Sequence, residues 1–155
     1  MVMEIFSELN FCKYVYLREI SEPGNKQLRL VVEEATPARK LESVVVEGVK
    51  FTDLRALETT EFSRMFEVTW DSYIAYSVRD ESVATFDPYN VVESGRVACV
   101  YSTSRFLDYV SLATTAERPF RHVGMHCLNH VVDVASMRLP VVRELRQHHS
   151  PHMVV

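Results

Sequence analysis

Between positions 66 and 78 the apolar residues keep a single parity. Phe66, Val68, Trp70, Ile74, Tyr76 and Val78 are even, while Glu67, Thr69, Asp71 and Ser77 are odd. A helix, with about 3.6 residues per turn, scatters such a set around its axis, whereas a strand places it on one face. The pattern predicts one long strand, or two joined by a bulge near Asp71-Ser72. A chain organised this way is built on sheets.

Other segments agree. Residues 10–20 (NFCKYVYLREI) are rich in aromatic and β-branched side chains, and after SEPGNK the residues Leu28, Leu30 and Val32 fall on one face with Arg29 and Glu33 on the other. The Glu22-Pro23-Gly24-Asn25 group between them supplies turn geometry, so the pair reads as a hairpin. Val44 to Val49 and Val97 to Tyr101 read as further strands. Leu54–Arg64 and Val141–Gln147 are read as short helices.

The segment SRFLDYVSLATTA predicts the one main helix, over about 102–115. Ser102 or Ser104 is its N-cap, Asp108 lies near its positive end, and Phe106, Val110 and Ala113 share a face. The expected fold is a β-rich α+β domain, an antiparallel sheet curled into a sandwich or open barrel with this helix packed on it or plugging it. Residues 1–147 are expected to form a single globular domain. Residues 148–155, with His148, His149 and His152 among Ser and Pro, read as a flexible tail.

A chain of 155 residues with 47% hydrophobic and 25% charged residues can bury its own core without disulfides or metal. The net charge of -4 carries no basic stripe, which gives no reason to expect nucleic acid as a partner. No stretch approaches the ~20 apolar residues of a membrane span, and the start MVMEIFSELNF lacks the pattern of a signal peptide. Cys12, Cys99 and Cys127 are far apart and form no C-x-x-C pair, as expected of small core residues in a reducing compartment. A cytoplasmic location without membrane contact follows as the expectation.

The stretch RHVGMHCLNH (121–130) holds three of the six histidines. His122, His126 and His130 share a face in either a helix or a strand, because four is a multiple of two and close to one helical turn. Distance separates the cases. In a helix, residues four apart lie about 6 Å from each other and can share a metal ion, whereas in a strand they lie about 13 Å apart and cannot. Val123, Val131, Val132 and Val134 favour a strand, and so does Gly124, a poor helix former. A strand with Val123, Met125, Cys127 and Val131 on one face and the histidines on the other is expected, with no shared metal and no cofactor. A carboxylate from a neighbouring strand would be needed to complete any site, one histidine at a time.

Asp133, between Val132 and Val134, reads in two ways. It is either a carboxylate of raised pKa suited to acid/base work, or an acceptor of hydrogen bonds at a sheet end. Asp80 and Glu81 cluster at the end of the 66–78 strand. Trp70 and Tyr76 share one strand face and Tyr73 the opposite, more polar one; such rings read first as core residues, with recognition of a ligand or partner as the alternative. No G-x-S-x-G, phosphate-loop, G-x-G-x-x-G or H-E-x-x-H motif occurs.

The segments WDSYIAYSVRDES (70–82), YSTSRFLDYV (101–110) and HCLNHVVDV (126–134) resemble blocks of small, functionally unassigned bacterial proteins, across the C-terminal two thirds of the chain. The resemblance implies a bacterial origin and a single-domain unit, and no activity. Two functional expectations follow. The first is a non-enzymatic binding or interaction module, immunity- or antitoxin-like, that engages a protein partner through a sheet face. The second is a small-ligand protein or metal-dependent enzyme with a barrel-mouth pocket lined by Trp70, Tyr76 and histidines of the 122–130 strand. A sheet edge could support homo-oligomers in either case.

Overall fold

The computed structural model describes residues 2–146. The expectation for the 148–155 tail lies outside the described residues. Two short helices, α1 (Val2–Ile5) and α2 (Ser7–Phe11), precede ten strands: β1 (Tyr14–Ser21), β2 (Leu28–Val46), β3 (Val49–Glu58), β4 (Met65–Trp70), β5 (Tyr73–Asp80), β6 (Val91–Ser94), β7 (Ala98–Thr103), β8 (Arg121–His126), β9 (His130–Ser136) and β10 (Val141–Arg146). The main helix, α3 (Arg105–Ala113), joins β7 to β8. All pairings are antiparallel. One sheet runs β1-β2-β4-β10, with β3 paired to the far half of β2, and the other runs β5-β9-β8-β7-β6.

The sheets face each other across one core, as expected of a sandwich. Val15, Leu28, Leu30, Val32, Phe66, Val68 and Trp70 from the first sheet meet Ala98, Val100, Val123, Met125, Val132 and Val134 from the second, with Phe6 and Leu9 added by the N-terminal helical turns. A smaller cluster, Leu107, Val110, Phe120 and Ala135, seats α3 on the outer face of the second sheet. Asn129 ties the β8–β9 turn to the first sheet: its amide accepts from Leu17 N–H at 2.9 Å and donates to Leu17 C=O at 3.0 Å. Among the described residues no helix is long and apolar enough to cross a membrane.

Several local expectations are corrected. The even-parity run forms two strands and not one: it breaks at Asp71-Ser72, the place where the second alternative put a bulge, and β5 crosses to the opposite sheet. Leu54–Arg64 and Val141–Gln147 are not helices; β3 continues to Glu58, and Val141–Arg146 pairs with β4 as β10. The histidine stretch is not one strand either. β8 ends at His126, Cys127–Asn129 turn, and His130 opens β9.

The core makes one quantitative demand. Phe66 is fully buried between the sheets, so Phe66→Ala should cost about 3–5 kcal/mol of stability through lost burial and the cavity left behind. Urea unfolding followed by the fluorescence of Trp70, the single tryptophan, measures it.

Candidate functional site

Pairing decides which histidines meet which carboxylates. In the β8–β9 register His122 lies opposite Ala135, Gly124 opposite Asp133 and His126 opposite Val131, so an even residue of β8 faces an odd residue of β9. Side chains alternate along each strand, and opposite residues share a face. His122 and His126 therefore share their face with Asp133, whereas His130 falls on the face of Val132 and Val134. The buried Nδ1 of His130 has no hydrogen-bond partner among the described residues.

On that outer face a chain of hydrogen bonds runs from α3 to β5. Ser104, the N-cap of α3, accepts the Leu107 N–H at 3.0 Å, and its Oγ lies 2.7 Å from His122 Nδ1. His122 Nε2 is 2.7 Å from Asp133 Oδ1, and Arg79 donates to Asp133 Oδ2 at 3.1 Å. One proton arrangement satisfies the whole chain: the Ser104 hydroxyl donates to Nδ1, and His122 Nε2–H donates to Asp133. Burial pushes the Asp133 carboxyl up, but the hydrogen bond from His122 and the charge and hydrogen bond of Arg79 outweigh it, so the group is held below the usual aspartate range. The raised-pKa reading of Asp133 is overturned; it is an acceptor.

Ser, His and Asp in this order invite comparison with a nucleophilic triad. Ser104 is 0% exposed, is occupied as a helix cap and does not line the neighbouring cleft, so its oxygen is not presented as a nucleophile. The chain acts instead as a brace.

The brace carries two rings that do meet solvent. Tyr101 stacks on His122 with centroids 4.3 Å apart, and its hydroxyl lies 2.9 Å from His126 Nε2. Gly124 makes this possible, because a Cβ there would sit 2.7 Å from the Tyr101 ring. Phe106 of α3 closes the other side of His122 at 4.9 Å. Burial pushes the Tyr101 hydroxyl up to about 12 and moves His126 below the ordinary histidine value. Both groups are neutral at pH 7.

These residues line a cleft of about 1180 Å³. Tyr101, His122, His126 and Asp133 lie along the sheet, with Arg79 beside them. Phe106 and Tyr109 of α3 form one wall, and the 84–90 loop, with a largely exposed Phe86, forms another. Among the described residues no group of three or more His, Cys, Asp or Glu side chains is arranged to hold a metal ion.

Of the residues singled out from sequence as candidate site groups, Glu81, His122, His126 and Asp133 line the cleft. Trp70 does not; it is buried between the sheets. Tyr73 and Tyr76 do not lie on opposite faces, because the β5 register shifts between Tyr73 and Ala75. Their rings meet edge-on at 4.9 Å, pack against the core, and share Glu22 as hydroxyl acceptor. Asp80 caps a short 3₁₀ turn (Glu81–Val83) by accepting from the Ser82 hydroxyl and N–H, which lower its pKa. Tyr101, Ser104 and Arg79 were not read as site residues. The one signal for them was a buried-looking aspartate in a valine run, and it becomes informative only with the β8–β9 register.

Two measurements check this site. Asp133→Ala should cost about 2–4 kcal/mol, because it strands a buried imidazole and frees the brace at both ends; chemical denaturation reads it. For His126 the folded pKa lies below the unfolded one, so the unfolded state takes up the extra proton. Its contribution to stability is complete above about pH 6.5 and is lost as pH falls through the folded value. Histidine-resolved NMR titration should place the His126 midpoint below that of a free histidine, and His126→Asn should remove this part of the pH dependence. Comparison of the chain with protein-family models, curated proteins and solved structures finds no match.

Proposed function

We propose that the protein binds a small organic acid in the cleft over β7, β8 and β9. The observation that carries this reading is the preorganised floor. Tyr101 is fixed by stacking on His122 and by its bond to His126, while His122 is itself clamped between Ser104 and Asp133. Rigid polar groups beneath apolar walls are what small-ligand sites require. The even face of β8 opens into a concavity, which favours a small ligand over the flat contact of an immunity-like partner.

The charge balance points to an acid. Asp133 and Asp87 are already paired with Arg79 and Arg105, and Arg96 is spent on the carbonyls of Cys12 and Lys13. Arg79 uses one nitrogen on Asp133, and Lys13 has no ion pair among the described residues, so both retain donors for a carboxylate. Glu81 stands on the same cleft with no ion pair among the described residues. Phe86, Phe106, Tyr109 and Val131 supply apolar contact for the body of the ligand.

Thermal shift across matched sets of carboxylic acids, their neutral amides and the corresponding amines tests the assignment, since a ligand of the native state raises stability by mass action. Acids with an aromatic or branched body should raise the melting temperature and amides should not. Arg79→Gln and Lys13→Gln should each weaken binding about tenfold. A preference for amines would overturn the acid assignment, and silence across all three sets would overturn the small-ligand reading.

A further inference from the structure

Phe86 and Tyr109 line the cleft and yet stand largely in water, 89% and 62% exposed. Large apolar side chains left exposed beside a concave site mark where a ligand removes them from solvent. Arg105 and Tyr109 are four residues apart in α3, so they share a face with Cβ atoms about 6 Å from each other. Phe86 immediately precedes Asp87, whose Oδ2 accepts from Arg105 Nε at 3.2 Å. Both rings are thus tied to one guanidinium, the first through its neighbour in sequence and the second through its place one turn along the helix.

The segment that carries Phe86 is pinned at both ends and free between them. At its start the Ser82 hydroxyl and N–H donate to Asp80, at 2.8 and 2.9 Å, and Ala84 N–H donates to Glu81 C=O at 3.1 Å. At its end Asp87 accepts from Tyr89 N–H at 3.0 Å as well as from Arg105. Asn90 accepts the Arg105 N–H at 3.0 Å, and the Arg105 guanidinium lies over the Tyr89 ring at 4.1 Å. Thr85 and Phe86 make no hydrogen bond among the described residues and belong to no helix or strand. A strap held in this way can turn its ring inward without breaking a bond, and Ala84, Thr85 and Phe86 all border the cleft.

We infer that the body of the bound acid is an aromatic ring, over which Phe86 closes toward Tyr109 while the carboxylate lies toward Arg79. The inference rests on the organic-acid reading above and adds the shape of the ligand to it. The fold separates the two ends of the site. Arg79 is anchored on Asp133 over the sheet, whereas Phe86 and Tyr109 belong to the strap and helix joined at Arg105. The strap end offers no free charge, because Asp87 and Arg105 neutralise each other, and so it suits an apolar body. Phe106, held against His122 at 4.9 Å, adds a third ring to the same wall. Aromatic walls favour an aromatic guest over a saturated one of equal bulk, because stacked and edge-on rings attract beyond the area they bury. A rigid ring also has little internal freedom to lose on capture.

Isothermal titration calorimetry of the full chain with phenylpropionate, cyclohexylpropionate and phenylpropionamide is the test. The two acids differ only in the ring, and the amide keeps the ring but loses the charge. Phenylpropionate should bind about threefold or more tighter than the cyclohexyl acid, and about tenfold tighter than the amide. Phe86→Leu, at a position exposed enough to leave the fold intact, should weaken the phenyl acid, spare the cyclohexyl acid and so abolish the preference. In Phe86→Trp the new indole should shift its emission to the blue as phenylpropionate saturates the site; Trp70, already buried between the sheets, is the constant background seen in wild type. Equal affinity for the two acids, or an unmoved Phe86→Trp emission at saturation, would overturn the closing ring and leave the acid reading standing. Equal affinity for phenylpropionate and its amide would overturn the acid reading instead, and no binding of either acid would overturn both.

Discussion

The hydrogen bond between His122 and Asp133 is the contact on which the outer face of the second sheet depends. A carboxylate and an imidazole removed from water cost more than they return unless their polar atoms are used. Here they are. Both carboxylate oxygens of Asp133 are taken, by His122 and Arg79, and both ring nitrogens of His122 are taken, by Asp133 and Ser104. Because the partners come from β5, β8, β9 and the start of α3, the same bonds fix the relative placement of four elements. The helix that walls the cleft is capped by the serine that orients the histidine beneath it.

Period-two alternation announced the sheets because it is a local property: any strand with one dry face must show it. The main helix was legible for a similar reason, since its cap and apolar face lie within a dozen residues. Where a strand lacked a dry face the signal vanished. β3, exposed along nearly its whole length, offered no alternation and was read in part as a helix. The site was the least legible feature. His122 and Asp133 are eleven residues apart with opposite parity, and only the turn at Cys127–Asn129 converts opposite parity into a shared face. A continuous strand from 121 to 136 would have kept them on opposite sides.

The aromatic residues show the same limit from the other direction. Trp70, Tyr73 and Tyr76 drew attention as a cluster, yet large rings near a sheet end are used first by the core, and all three pack there. Tyr101, which was not singled out, serves the cleft because the residue beside its ring is Gly124. Recognition depends on what a neighbouring strand omits as much as on the ring itself.

The Tyr101–His126 pair constrains what the cleft can offer. If the hydroxyl donates to Nε2, the pair retains the Nδ1–H as donor and a tyrosine lone pair as acceptor. If Nε2–H donates instead, it retains the hydroxyl proton as donor and Nδ1 as acceptor. Either tautomer leaves one donor, one acceptor and no net charge. Direction and charge are therefore supplied by different residues. In the proposed acid site the neutral pair would orient a hydrogen-bonding group and selection for charge would fall to Arg79 and Lys13, of which Arg79 is held by the same carboxylate that clamps His122. The histidine stretch that looked like a metal ligand set is thus divided in function: His122 supports the floor, His126 belongs to its surface, and His130 sits on the other side of the sheet.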